Sequence, residues 1–391
     1  MPVNRLFGLA VLLLLGGCAS KPRMPQASEA FVFRSLDLAQ QDEKGKQAWD
    51  LRSPEARYDL NRQVARAREP RGRIFRNGKA SVTISARSGT VLGDGQAIQL
   101  EGDVVITLLG KDPVRITGQQ ARWLPGDALM IIDRKPVATD RNARISAQLA
   151  TYHLDRDLVE LRGKPVLERW NGKTPAEHQK QISAPLRVET ALVDWRPQQG
   201  DLFAPQPVHG ERRQGNSRLL LDARSLNGNL REGYIDLIEP VQVRDAKRKG
   251  WLSARRTRWA INDQTLSSNL PFHGAYNKLQ GRGDRFDMDL ARDTVAVHGN
   301  CQLRQPGEQL RAQQCLWNWS NGRFQAEEDV ELRRDAYKQV TRSSRLNGTI
   351  GKDGTAVFSA PGARVNSQFT LPPSKPAKPQ RQQQDQPAVR F

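Results

Sequence analysis

Cys301 and Cys315 are the side chains whose type and spacing most directly promise chemistry, because two thiols in an oxidising compartment close a disulfide. They flank Gln305-Pro306-Gly307 on what read as adjoining strands. By strand parity Cys301 points with Val297 and Leu303, and Cys315 with Trp317 and Trp319. Both then face inward, and a bond between them is expected; two separate buried thiols are the alternative. Closing such a loop contributes about 3 kcal/mol in the chain-entropy model. The five histidines, His153, His178, His209, His273 and His298, are scattered, and none has the i,i+4 spacing of a ligand pair. The sequence has no serine nucleophile elbow, phosphate-cradling glycine loop or acidic metal loop. Asp287 and Asp289 alternate along a strand and share one solvated face, and Arg282-Gly283-Asp284 lies inside a repeat, where chance explains it. Neither an enzyme nor a bound cofactor is expected.

The remaining cysteine sets the compartment. Arg5 is followed by the apolar run Leu9 to Leu15, which is too short for a bilayer span but suits a secretory signal. The run ends in Leu15-Gly16-Gly17-Cys18, which resembles a bacterial lipobox: small residues admit a peptidase before Cys18, and its thiol and new amine take acyl chains. An ordinary signal with an incidental Cys is the alternative. This predicts a signal peptide over 1–17, a lipid-anchored linker over 18–30, and a periplasmic protein tethered to the membrane by its N-terminal lipid.

Length and charge narrow the partners. The chain has 391 residues, 61 Lys+Arg against 42 Asp+Glu and a formal charge of +19, with 37% apolar residues. That apolar share is low for an all-round buried helical bundle and suits thin two-layer β architectures. The charge favours anionic partners, and the best head-group candidates are the basic clusters Arg62 to Arg73 and Lys247 to Arg258. Charged edge strands would give the same pattern. Secretion and the lack of an aromatic-basic stacking platform argue against nucleic acid.

Between the linker and a Pro/Gln-rich tail over 371–391, read as disordered, the chain repeats. Ile116, Ala121, Trp123, Leu129, Pro136 and Val137 recur 29 residues later as Ile145, Ala150, Tyr152, Leu158, Pro165 and Val166. Similar starts at Leu51, Ile84, Ile182, Leu221, Leu252, Leu279, Leu310 and Thr341 lie 27 to 39 residues apart, and most place an aromatic seven residues on. The second half of each unit alternates at period two. Ile98, Leu100, Val104 and Ile106 share one face, as do Val159 and Leu161, Ile235 and Leu237, and Val295 and Val297. These, with Ile131 and Phe324, are the candidates for an apolar interior. Two strands and a turn per unit cannot bury their face alone, so the units must stack. The wandering period favours two facing antiparallel sheets over a solenoid, with about ten strands per sheet and a length of about 45 Å. Alternation alone does not distinguish a filled interior from an open one.

The unit Ile-x-Ala-x-x-Ala-x-Tyr, then Val-x-Leu-x-Gly-x-Pro, is similar to the repeat of the OstA-like lipopolysaccharide-transport proteins, the LptA and LptC group. The opening Phe31-x-Phe33, then Gly45 through Trp49 to Tyr58, resembles the start of an LptC module, although the lipobox replaces the usual transmembrane helix and the β region is about twice as long. The resemblance implies an all-β, elongated antiparallel β-jelly roll, with an LptC-like part over 31–180 running into OstA-like repeats over 181–370. It further implies lipopolysaccharide acyl chains in the groove, an inner-membrane ABC transporter complex at one end, and a periplasmic bridge protein joined by edge-strand β-augmentation at the other. The family favours an inner-membrane anchor; Ala19 after the Cys points to the outer membrane. A structural or glycan-binding outer-membrane lipoprotein with a closed β core is the alternative.

Overall fold

The computed structural model describes residues 31–175, 184–214, 217–245, 247, 249–350 and 355–370. The signal, Cys18, the linker, the repeat start Ile182, His178 and the Pro/Gln tail lie outside the described residues. What is described is almost entirely strand: 36 strands, every pairing antiparallel, in one continuous hydrogen-bonded system folded back on itself. Wound parallel coils are excluded by that pairing, and the architecture is an antiparallel jelly roll.

The long strand Ala97–Leu108 shows how one sheet becomes two. Its first half pairs with Ser88–Leu92 and its second half with Lys79–Ser85, and between them Gly102 and Asp103 take left-handed φ values of 72° and 47°. The next strand, Val114–Leu124, bends at Gly118 and pairs with Leu129–Asp133 in one layer and Val137–Thr139 in the other. We call these layers sheet I and sheet II. Each long strand runs up one layer, turns a corner and runs down the other, so each repeat unit lays strands in both sheets. The expected count of ten strands per sheet is thus too low. Each sheet has about twenty, and at roughly 4.8 Å per strand the molecule is about 95 Å long.

Gly163 explains the glycine in the repeat. With Lys164 it forms the corner between Leu158–Arg162 in sheet I and Val166–Arg169 in sheet II, at φ values of 76° and 60°. Gly299 and Asn300 make the same corner in Thr294–Gln305. Two successive left-handed residues turn the strand while preserving its parity, so inward residues stay inward on both arms.

With all bends along one long edge, the hairpin turns of both layers line the other edge, the mouth. Inward side chains fill the space between. The largest fully buried ones concentrate between Ile98 and Leu161, where Ile98, Val104, Ile106, Met130 and Val159 have no exposed surface. Each such side chain contributes about 1.5–3 kcal/mol by leaving water. The disulfide Cys301–Cys315 ties Thr294–Gln305 to Glu308–Asn318, with Cα atoms 6.2 Å apart and both cysteines buried.

The free ends of the two sheets lie at the chain's extremes. Phe31–Phe33 pairs only with Glu55–Asp59, and Leu36–Gln41 only with Gln47–Ser53. At the other end Ala356–Ser359 and Asn366–Gln368 each pair only with Gln339–Thr349. Both ends carry exposed apolar side chains: Phe31, Val32 and Phe33 at one, Val357 and Phe369 at the other.

Candidate functional site

One inner row of sheet I runs the length of the molecule. Successive strands place Ile98, Trp123, Met130, Tyr152 and Val159 directly opposite one another, and further along Trp259, Leu266, Met288, Val295, Trp317 and Phe324. Of the aromatic residues spaced by the repeat, Tyr58, Trp123, Tyr152, Trp259 and Trp317 belong to this row near the mouth, while Phe286 lies one rung away, opposite Val297. In the first stretch these side chains are buried under sheet II, with Trp123 and Tyr152 2% and 3% exposed. In the second, Met288, Val295 and Trp317 are only half-buried.

There the layers part around a cavity of about 490 Å³. Sheet II lines it with Leu219, Val243, Leu252, Phe272 and Tyr276, and sheet I with Met288, Val295, Val297 and Trp317. Arg212, Asp245, Lys247, Arg282 and Asp293 are the charged residues of its lining. Leu279 and Leu303 also line an adjoining space of about 320 Å³ that reaches Phe324, Leu310, Leu332 and Leu346, so apolar surface continues toward the C-terminal end. The indole N–H of Trp317 is buried without an acceptor. A smaller opening of about 390 Å³ at the N-terminal end lies between Trp49, Ile74 and Val82 of sheet II and Trp123 and Tyr152 of sheet I.

Between these openings the rims are latched. Gln198 donates its side-chain N–H to the Leu109 carbonyl (3.3 Å), and Arg231 approaches Asp112 (3.9 Å). Arg169, which is 2% exposed, donates to the Leu230 carbonyl (2.9 Å), Asn262 Oδ1 (3.1 Å) and Asn142 Oδ1 (3.3 Å). Arg212 donates to Gln264 Oε1 at 2.9 Å. Asp157 accepts the Gln198 backbone N–H at 2.8 Å and the Tyr152 hydroxyl at 3.4 Å; burial raises the pKa of both acids.

The sequence-derived interior residues are divided by this geometry. Val295 and Val297 line the open cleft, and Phe324 lines its extension. Ile98, Leu100, Val104, Ile106, Val159, Leu161, Ile235 and Leu237 are packed inside, none more than 1% exposed. Ile131 faces the other way: Met130 and Ile132 are the core residues of that strand, and at period two the residue between them must turn outward. The basic clusters are partly neutralised. Arg73 binds Asp50, while Arg256 and Arg258 converge on buried Asp236 at 2.9 and 2.7 Å. Arg57 and Arg66 sit directly opposite each other on the outer face, with no ion-pair partner among the described residues. Asp289 caps a turn through the Ala291 and Arg292 N–H groups, and Asp287 meets His298 at 3.2 Å. Among the described residues no group of His, Cys, Asp and Glu could hold a metal. Arg169 and Arg212 were not singled out by charge clustering, although parity with Leu167 and Gly210 places them inward.

Comparison with known proteins fits this picture at one end. No curated protein matches the sequence. The crystal structure of LptH, described as the LptA-homologous periplasmic component of the lipopolysaccharide transport device of Pseudomonas aeruginosa, aligns at 8% identity over 41% of this chain and 83% of that one. Its TM-score is 0.20, so the fold rests on the strand pairing above and not on that likeness. The family model described as "Lipopolysaccharide-assembly, LptC-related" matches residues 11–165. That match takes in the first strands of both sheets.

Proposed function

We propose that this chain is a lipid-anchored periplasmic component of lipopolysaccharide export, which takes acyl chains between its two sheets and passes them from an inner-membrane ABC transporter complex to a periplasmic bridge protein. The observation that carries this reading is the open apolar cleft between the layers. Its volume lies in the range of ligand sites, and its walls are predominantly aliphatic and aromatic. Lipid tails need such a dry trough, while a sugar-phosphate head stays at the wet mouth. The packed set from Ile98 to Leu237 is the rest of the acyl path, entered when the rims part. Cys18 supplies the anchor. The exposed apolar end strands support joining to neighbours by strand addition, since an added strand supplies main-chain hydrogen bonds. Transport energy comes from the ATPase, and the chain is a carrier, not an enzyme.

A photocrosslinking amino acid placed at Val295, Leu303, Ile98 or Leu161 tests this in cells. Lipopolysaccharide adducts are expected at Val295 and Leu303 most strongly, and at Ile98 and Leu161 only while export is energised. Adducts at none of the four would leave a structural or glycan-binding lipoprotein with a closed core as the better account.

A further inference from the structure

Lysine is unevenly placed in this molecule. Among the described residues there are eleven: nine stand at or beside the sheet II turns of the mouth, and two, Lys135 and Lys164, at bends on the opposite edge. None stands at a sheet I turn, where acids such as Asp94, Asp127, Asp263 and Asp293 appear alongside arginines. The mouth therefore has two unlike lips, and the sheet II lip is the one that favours anions. Beside the open cleft its two turns carry Lys247, Lys249 and Lys278, all exposed, and no acid within the turns themselves. The Asn277 backbone N–H donates to the Lys249 carbonyl at 3.2 Å, so the two turns lie side by side. Lys247 lines the cleft together with Arg212, Asp245, Arg282 and Asp293. Trp251, two residues beyond Lys249, is 46% exposed on the outer surface of sheet II. Ala275 lies opposite it on the neighbouring strand, and His273 meets its ring edge to face at 5.5 Å.

Arg256 and Arg258, later in the same basic cluster, are held by Asp236 on the outer face of sheet I, which leaves the lysines as the part that faces the mouth. Lysine is a compact charge on a flexible stem. It follows a phosphate without imposing the fixed fork of arginine, as a head moving along the lip requires. A large aromatic left open on a largely polar strand face marks a contact surface, and the C–H face of a sugar ring packs against an indole. We propose that this stretch of the sheet II lip holds the phosphorylated sugar head of an acyl amphiphile. The phosphates pair with Lys247, Lys249 and Lys278, the ring lies against Trp251, and the tails pass inside the lip into the cleft. This rests on the acyl-chain reading above and adds to it which lip takes the head and which residues hold it.

The experiment uses the full chain with the photocrosslinker at Val295, titrated with bisphosphorylated lipid A and with the same lipid dephosphorylated. The unmodified lip should prefer the phosphorylated form about fivefold, the sum of three exposed charge pairs. Lys247→Gln/Lys249→Gln/Lys278→Gln should reduce that ratio to about twofold or less, and raised salt should act in the same direction. Lys249→Gln/Lys278→Gln should fall between, whereas Lys135→Gln/Lys164→Gln, which removes the same charge from the bends, should leave the ratio unchanged. All five lysines are exposed, so melting temperatures should not move. Trp251→Ala should weaken both lipids about threefold at an unchanged ratio, and Trp251→Phe should restore most of that loss. An unaffected Trp251→Ala overturns the ring contact. Equal affinity of the parent for both lipids, a preference that survives loss of the three lysines, or one that falls equally in Lys135→Gln/Lys164→Gln overturns the head site alone. Labelling abolished by millimolar inorganic phosphate would make the lip a free-anion site and overturn it too. Failure of both lipids to reach Val295 overturns the acyl-chain reading and the head site with it.

Discussion

Tyr276 of sheet II and Trp317 of sheet I meet edge to face across the space between the layers, with ring centroids 5.0 Å apart. At the other opening Trp49 and Trp123 make the same kind of contact at 5.3 Å. Each opening therefore has an aromatic prop holding the two layers apart, with the centre latched between them. Aromatic pairs in this geometry contribute about 0.5–1.5 kcal/mol beyond their buried area, enough to set a spacing without locking it.

Trp317 should consequently act as both wall and reporter. Replacing it with Leu is expected to cost about 1–3 kcal/mol, less than for a fully buried Trp because one side already faces the cleft. Its indole N–H, lacking an acceptor, is poised to bond an ester or amide carbonyl of an entering acyl chain. Acyl amphiphiles should therefore shift tryptophan emission in the parent and much less in Trp317→Leu. An unchanged difference spectrum in the variant would remove Trp317 from the wall.

The disulfide offers a stability test separate from lipid binding. Cys301 and Cys315 are 14 residues apart, so opening the bond releases a short loop, at an expected cost of about 3 kcal/mol in the unfolded-state model. Urea denaturation of Cys301→Ala/Cys315→Ala against the parent measures it, and a loss below about 1 kcal/mol would mean that native packing holds these strands without the bond.

Two kinds of information were unequally legible in the sequence. Period-two alternation was enough for the all-β class and the stacked sheets, and parity placed Cys301 and Cys315 on one face, because both depend only on a residue's neighbours along its own strand. The corner was hidden. Gly102 and Gly163 fall on the inward parity, so they read as members of the inward set when they are the bends that send each strand into the second layer. Missing the bend halved the strand count. Ile131 beside Ile132 was ambiguous for the same local reason: two adjacent isoleucines fit either parity. The rim arginines depend on which turns of the opposite layer lie across the mouth, a relation spanning 61 residues for Arg169 and Leu230, which no local pattern carries.

The corner itself can be tested at Gly163. Its φ of 76° is one that side chains rarely adopt, and an added Cβ would meet Gln148 Cβ at 2.6 Å. Gly163→Ala should cost about 1–2 kcal/mol from backbone strain, plus whatever the clash adds. Gly126, where an added Cβ meets nothing within 4 Å, is the control, and Gly126→Ala should be near neutral.

Charge burial predicts a pH signature. Arg258 and Arg256 hold the Asp236 carboxyl below the ordinary carboxylate range. With the folded pKa below the unfolded one, this stabilisation is present above about pH 4 and is lost as pH falls through the folded value. Asp236→Asn should cost about 1–2 kcal/mol at pH 7, a figure limited by the half-exposed arginines, and little at pH 2. Asp157 runs the other way. Burial raises its pKa, so the folded state holds its proton longer and its contribution is lost as pH rises through the folded value. Asp157→Asn should flatten that decline as pH rises above the ordinary carboxylate range. Urea midpoints across pH read both, and parallel profiles for the two variants would contradict these assignments.

The end strands should answer to backbone chemistry more than to side-chain identity. Val357 lies on Ala356–Ser359, whose outer edge has no neighbour among the described residues, and is 65% exposed. A strand added there would draw on the main-chain groups that face away from Gln339–Thr349, and a proline where such an N–H points outward removes a donor without touching the core. Val357 is paired with Asn347, so the alternation of the ladder decides whether the outward donor is at Val357 or at its neighbour Phe358. Val357→Pro and Phe358→Pro should therefore differ: one abolishes capture of a bridge protein, the other weakens the native pairing and lowers the melting temperature. Val357→Ala, which strips apolar surface but keeps the N–H, should reduce capture only a few-fold. If both prolines leave capture intact, this end is not where the next protein joins, and the Phe31–Phe33 end is the place to look.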